Sequence, residues 1–380
     1  MNKDDWSALL VYALMLVAAI FIGIQVVQPA LADLGLESAG QYAFAIITIL
    51  IGAIISSIFF ELGHIVGAKI GGYTILSVNI WGLKIYRSGK KWKVGFRSFE
   101  GLTGATEIAP KSESANPLPY LWGSTISFVI ETIILILVFV FTEEISSQSE
   151  FVLEAYFHHG ALITVAIGAM LAIYNIMPFK LDTLNDGHQL ALVSNKINKE
   201  AFNEIRRLNA LTYAGLPYDE IKTFTTITTL TAEVNLRAIY QFEDQGKNEE
   251  ALALIEALNT SDVQLDPIMR ARIQAQKLWL LILLDRTSAA NELWEGLDAK
   301  SRKAIGDDDA LETIRAYFLF SGVVIHSVHE SIYAINSLPK AKKKAKHSYR
   351  LEEEKALMNQ AYKAVQEANP DWEIVAPDQQ

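Results

Sequence analysis

Residues 59–64 read Phe-Phe-Glu-Leu-Gly-His. Glu61 and His64 stand three apart, so on a helix they share one face. They form the second part of a His-Glu-x-x-His arrangement, in which two imidazoles four apart meet one zinc ion and the glutamate between them handles the proton of the bound water. In this chain the first position is Phe60, which has no lone pair to offer a metal. The preceding stretch, Tyr42–Ile58, is almost wholly apolar, and Glu61 and His64 follow it without a turn signal. Ionisable groups at membrane depth are costly and usually mark a functional site. The plainer alternative is that the two residues cap a helix at an interface.

A second polar constellation closes the fourth apolar stretch. Tyr174-Asn175-Ile176-Met177-Pro178-Phe179 is followed by Asp182 and then Asp186-Gly187-His188. A carboxylate arriving here on another segment is what an incomplete zinc site needs. Asp182 and Asp186 are both candidates. His188 is a further candidate to complete the donor set.

Four stretches are long enough to span a bilayer core, which takes about 20 residues. They are Trp6–Val27, Tyr42–Gly63, Leu118–Thr142 and Gly160–Phe179. Ala30-Leu31-Ala32 resembles a signal-peptide cleavage site. The apolar run before it is too long for that, and its start carries Asp4 and Asp5 against Lys3. Loop charges set the orientation. Gln28–Gln41 and Glu143–Phe157 contain no Lys or Arg, whereas Tyr73–Pro117 carries Lys84, Arg87, Lys90, Lys91, Lys93, Arg97 and Lys111. Basic loops stay in the cytoplasm, so both termini and the Glu61–His64 end of the second span are expected there. His158 and His159 then lie at the opposite face. Glu131, deep in the third span, is expected to face the bundle interior, as a lining of a water path or as a neutral acid bonded to a neighbouring helix.

Within the basic loop, Tyr73–Tyr86 and Trp92–Phe96 are rich in β-branched and aromatic residues and flank Arg87-Ser88-Gly89-Lys90-Lys91. That pattern predicts a hairpin, either an ordinary structural one or one at the bilayer surface that offers an edge strand to an extended peptide. The formal net charge is -10 and both halves are acidic, which argues against a nucleic-acid partner. The chain has no cysteine, so disulfides, thiolate ligands and a thiol nucleophile are excluded.

Together, the order, depth and shared side of these motifs resemble the site-2 protease family of intramembrane zinc metalloproteases, over roughly residues 42–195. The resemblance implies Glu61 as general base, His64 as the second histidine ligand and Asp186 as the aspartate ligand, with Asn175 and Pro178 in the polar turn before it. It implies zinc as cofactor and a membrane-embedded peptide as substrate. Phe60 departs from the pattern at the first ligand, so zinc binding and proteolysis are expected to be impaired. The gap from Pro178 to Asp186 is also longer than in the commonest members. The alternative is an inactive pseudoprotease that acts as a membrane scaffold.

From about Asn198 the apolar residues recur at helical spacing. Leu236, Ile239 and Tyr240 with Ala251, Leu254, Ile255 and Leu258 predict one helix pair around Gly246-Lys247-Asn248. Ile273–Leu284 with Ala289–Leu297 predicts a second, and Ala310–Phe320 with Val323–Asn336 a third. The pairing resembles tetratricopeptide arrays, without a clean 34-residue period. The sequence thus predicts a four-span α-helical membrane domain over residues 1–195 with a membrane-associated hairpin. A soluble, cytoplasmic, repeat-like helical domain is expected over 198–368, either offering a protein-partner surface or serving only to bury its own core. The tail 369–380 is expected to be disordered.

Overall fold

The computed structural model describes residues 3–33, 38–88, 91–96, 104–148, 152–178, 185–344 and 350–379. It divides into two compact units, Met1–Asn203 and Glu204–Gln380. The sequence places this division near residue 195; the structure places it inside a helix, α7.

The first unit contains α1 (Lys3–Ile22), a π-helical turn (Gly23–Val27), α2 (Gln28–Asp33), α3 (Ser38–Ile70), α4 (Pro117–Gln148), α5 (Val152–Ile176), α6 (Asp186–Val193) and the start of α7 (Lys196–Ala214). Between α3 and α4 lie strands β1 (Tyr73–Ile80), β2 (Leu83–Ser88), β3 (Lys91–Phe96) and β4 (Ala105–Pro110). Four helical stretches are long and apolar enough to cross a membrane: Leu9–Ala32, Tyr42–Ile70, Pro117–Thr142 and Phe157–Ile176. Their outer faces are apolar too, as at Ile46, Ile51, Ile54 and Leu62 of α3. A helix apolar all round has no face suited to water.

The helices run further than the apolar stretches alone. Nothing after Gly63 breaks α3 until Gly71-Gly72, where Gly72 has φ 84°. Glu143 and Glu144, read from sequence as loop, continue α4. α3 and α4 cross backbone to backbone: a Cβ on Gly63 would lie 2.1 Å from the Gly123 carbonyl oxygen, and one on Gly123 would lie 2.2 Å from that of Gly63. Only glycine at both positions permits this approach, the packing device of small residues on facing apolar helices.

The expected hairpin is half of a larger structure. The four strands form one antiparallel sheet in the order β3-β2-β1-β4. Tyr73–Tyr86 is not one strand but two, split by Trp81 and Gly82 with φ 50° and 84°. Two consecutive positive φ values suit a two-residue hairpin turn. β2 and β3 pair from Leu83↔Phe96 to Ser88↔Lys91, as the loop composition predicts. β4, which the sequence reading missed, pairs with β1 from Tyr73↔Pro110 to Asn79↔Ala105. Its segment Ala-Thr-Glu-Ile-Ala-Pro is short and carries little β-branched weight, so propensity alone does not reveal it.

The second unit holds α8 (Thr229–Asp244), α9 (Asn248–Asn259), α10 (Pro267–Leu283), α11 (Thr287–Gly296), α12 (Ala299–Asp307), α13 (Leu311–Val323), α14 (Val328–Asn336), α15 (Leu338–Lys344) and α16 (Leu351–Ala368). The helices of the three predicted pairs are present as α8/α9, α10/α11 and α13/α14. Side-chain caps start α8, α10, α12 and α14: Thr228 forms a reciprocal box with Thr231, and Asp266, Asp298 and Ser327 accept bonds from backbone N–H groups. Eleven of the thirteen residues of α13 are buried, which makes it the central element of the unit. The stretch past Pro370, expected to be disordered, packs instead on α16. Ile374 is buried, and its carbonyl accepts a bond from the Tyr362 hydroxyl at 2.9 Å. Ile374 and Trp372 supply the apolar surface that ordering a tail requires.

Arg315, fully buried at the centre of α13, bonds Glu243 at 2.8 Å, Glu354 at 3.0 Å and Gln276 at 3.3 Å. Its guanidinium lies 4.0 Å from the Trp279 ring. Arg350 bonds Glu354, Asp244 and Glu312, each at 2.8 Å. Burial pushes the Glu243 carboxyl up to about 7, against the pull of Arg315. A carboxyl raised in the fold stabilises it fully below its unfolded value near 4.5, and that contribution fades as pH rises through 7. Hydrogen exchange in α8 and α13, corrected for intrinsic rate, is expected to be faster at about pH 8 than at about pH 5.5. Glu243→Gln should flatten that dependence; equal protection at both pH values in the unaltered chain contradicts it.

Candidate active site

α3 carries Phe60, Glu61 and His64, all buried. The N-terminus of α6 brings Asp186 to them: His64 Nε2 lies 3.2 Å from Asp186 Oδ2. The placement of Asp186 follows from local chemistry. Asn185 caps α6, accepting from the His188 N–H at 3.2 Å. Its amide donates to the carbonyls of Tyr174 at 3.0 Å and Met177 at 2.8 Å, which ties the start of α6 to the end of α5. Asn175 bonds Asp186 twice, from its Nδ2 to Oδ2 at 2.6 Å and from the Asp186 N–H to its Oδ1 at 3.2 Å. Ser124 of α4 donates to the same Oδ2 at 2.5 Å.

Gly187 lets the start of α6, and with it Asp186, come close to α5. A Cβ at 187 would fall 1.9 Å from the Ile176 carbonyl oxygen, so only glycine lets α6 approach α5 this closely. Gly187→Ala is expected to destabilise the first unit by about 1–3 kcal/mol, the usual cost of overpacking. Thermal unfolding in detergent checks this, and an unchanged midpoint would count against the close approach.

His64 Nδ1 lies 3.0 Å from the Tyr120 carbonyl, which only accepts, so Nδ1 carries the hydrogen. That leaves the Nε2 lone pair facing an Asp186 oxygen. Two acceptors at 3.2 Å require a proton or a cation between them. Two ligand atoms on a tetrahedral zinc, each about 2.1 Å from the ion, stand about 3.4 Å apart. In spacing and in chemistry, this donor pair fits zinc. In number it does not, since zinc sites of this kind use three protein ligands.

Phe60 precedes His64 by one helical turn, on the same face, and is 1 % exposed. Its ring centroid lies 6.1 Å from that of Phe128. Among the described residues, no group of three His, Cys, Asp or Glu is spaced to hold a metal ion, and that includes any set completed by His188. Asp182 lies outside the described residues.

Glu61 accepts a short hydrogen bond from the Thr106 hydroxyl of β4. A Cβ at Gly104 would meet Glu61 Oε1 at 2.9 Å and the Asn79 carbonyl oxygen at 2.3 Å, so the carboxylate is wedged against the strand. Glu131 is buried too, taking a 2.7 Å bond from Ser56. Sequence reasoning singled out Glu61, His64, Asn175 and Asp186, and missed Ser124, Thr106 and Tyr120. Ser124 left little trace, because Thr125 and Ser127 beside it carry hydroxyls too. Thr106 left none, because β4 itself was not recognised. No protein-family model, curated protein or solved structure matches the chain.

Proposed function

We propose that the first unit is a membrane-embedded domain of the site-2 protease type whose zinc centre is disabled at Phe60. The observation that carries this reading is the meeting of His64 and Asp186 at 3.2 Å, with Glu61 one turn away, from segments far apart in the chain. Chance placement rarely gives a buried imidazole and carboxylate converging lone pairs beside a further buried carboxylate. The four apolar helices are taken as membrane spans, with the basic sheet and both termini in the cytoplasm.

Zinc, when bound, lowers the pKa of a coordinated water and makes it a nucleophile toward a peptide carbonyl. His64 and Asp186 are the residues that would hold it. The other side chains have roles independent of the ion. Ser124 and Asn175 fix the Asp186 carboxylate, the Tyr120 carbonyl fixes the His64 tautomer, and Thr106 holds Glu61 where it can accept a proton. The substrate class is a membrane-spanning segment that unwinds locally, since helical amides are already paired.

A second reading, a pseudoprotease scaffold, is favoured by the full burial of Phe60 against Phe128. In both readings the second unit is a cytoplasmic array of helix pairs that recruits a protein partner. The experiment is cleavage of a single-span peptide in liposomes. Phe60→His should cleave it and Phe60→His/Glu61→Gln should not. A Phe60→His form that binds zinc yet never cleaves any span supports the scaffold.

A further inference from the structure

Between α13, α15, α16 and the C-terminal turn Pro377–Gln379 lies a cavity of about 220 Å³. At roughly 30 Å³ per water it holds about seven waters' volume, room for a small molecule. Leu311, Leu338, Leu351 and Met358 give it apolar walls. Lys342 and Lys355 stand at the same cavity. Partial burial, followed by repulsion from Lys355, lowers the Lys342 ammonium below the ordinary lysine value, and Asp378 partly offsets this. The chain already places acceptors there: Lys342 Nζ donates to the Pro377 carbonyl at 2.6 Å, and Asp378 also lines the cavity. The turn is held from behind by Tyr362 on Ile374 and by Gln366 on the Trp372 carbonyl at 3.2 Å.

We propose that this cavity is a binding site for a medium-chain monocarboxylate, whose carboxylate lies between Lys342 and Lys355 and whose alkyl chain fills the Leu311–Met358 side. The site is independent of the protease reading. Two cations beside apolar walls match one anion joined to one alkyl chain. The Glu354 carboxylate in the lining is taken by Arg315 and Arg350, Lys355 exchanges its surface pairing with Glu352 at 2.5 Å for the ligand, and Asp378 is what the ligand displaces. The Pro377–Gln379 turn acts as a resident competitor, its carbonyl and carboxylate taking the place of the ligand's head. Glu354, another wall of the cavity, also bonds Arg315 and Arg350, so the site adjoins the buried charge network of the second unit.

The test is calorimetric titration of the full chain in lipid nanodiscs with sodium heptanoate, and separately with heptanol and heptylammonium. Heptanoate should bind saturably and the other two at least about tenfold more weakly, the worth of one hydrogen bond to a charged group. Lys342→Gln should weaken heptanoate at least about tenfold, while Lys340→Gln, an exposed lysine on the same helix, leaves it unchanged. Met358→Trp should abolish binding by filling the hollow, and Asp378→Asn should tighten it by weakening the competitor. Equal uptake of heptanoate and heptanol, or heptanoate binding untouched by Lys342→Gln, would overturn the proposal.

Discussion

Purified Phe60→His protein is expected to carry about one zinc ion per chain, and the unaltered chain almost none. In the proposed reading, two donors of a tetrahedral site are already in position. His64 Nε2 and Asp186 Oδ2 are 3.2 Å apart, and Asp186 is held by Ser124 and Asn175 without help from a metal. The missing third donor belongs one helical turn before His64, and position 60 is there. Loss of an outer-shell partner costs roughly 10–100-fold in metal affinity, so loss of a direct ligand should cost more than about 100-fold. Elemental analysis after chelator washing and zinc reloading is the measurement. Phe60→His/Asp186→Asn should fall back to background, which separates a restored centre from zinc held by an extra surface histidine. Stoichiometric zinc in the unaltered chain would end this account of Phe60.

Arg315→Met is expected to cost the second unit about 3–5 kcal/mol, much of an ordinary domain's stability. The guanidinium is the shared partner of Glu243, Glu354 and Gln276 and lies on the Trp279 ring, with no exposed surface. Removing it strands the buried Glu243 carboxylate and leaves Glu354 with Arg350 alone. Replacing all three ionic residues together with apolar side chains of similar volume should cost far less, because no charge is then left without a partner. The single variant should recover part of its loss in acid, where Glu243 and Glu354 take up protons. Chemical denaturation of the full chain, followed by exchange mass spectrometry in α8, α10, α13 and α16, resolves this unit from the first. A single variant within about 1 kcal/mol of the parent would show that the network contributes little.

The sequence was most readable where one rule governed a long stretch. Uniform apolarity marked the four long helices, and 3.6-residue periodicity marked α8 to α11. The ends were less visible. α3 runs past Gly63 to Ile70 because its stop signal is the Gly71-Gly72 pair, and hydropathy does not register that. The strand split at Trp81-Gly82 rests on backbone angles that composition only hints at. The site divides in the same way. Glu61, His64 and Asp186 are ionisable groups in apolar surroundings and stand out one by one. Tyr120 takes part through its carbonyl, which no side-chain pattern can report. The choice of Asp186 over Asp182 came with the family resemblance, and the physical meaning of the neighbouring glycine is the approach of the Ile176 carbonyl.

The Gly63–Gly123 crossing has a mechanical consequence. The joint sits beside His64 and near Ser124, and its two backbones touch with no side chain between them to reorient. His64 and Ser124 are therefore fixed to each other like parts of one casting. Glu61, on the same helix face as His64, is tethered by the Thr106 hydroxyl on a strand of the sheet. The Thr106 carbonyl also accepts a 3.0 Å bond from the Tyr120 hydroxyl, and the Tyr120 carbonyl holds the His64 ring, so a force that shifts β4 would reach the carboxylate and the imidazole together.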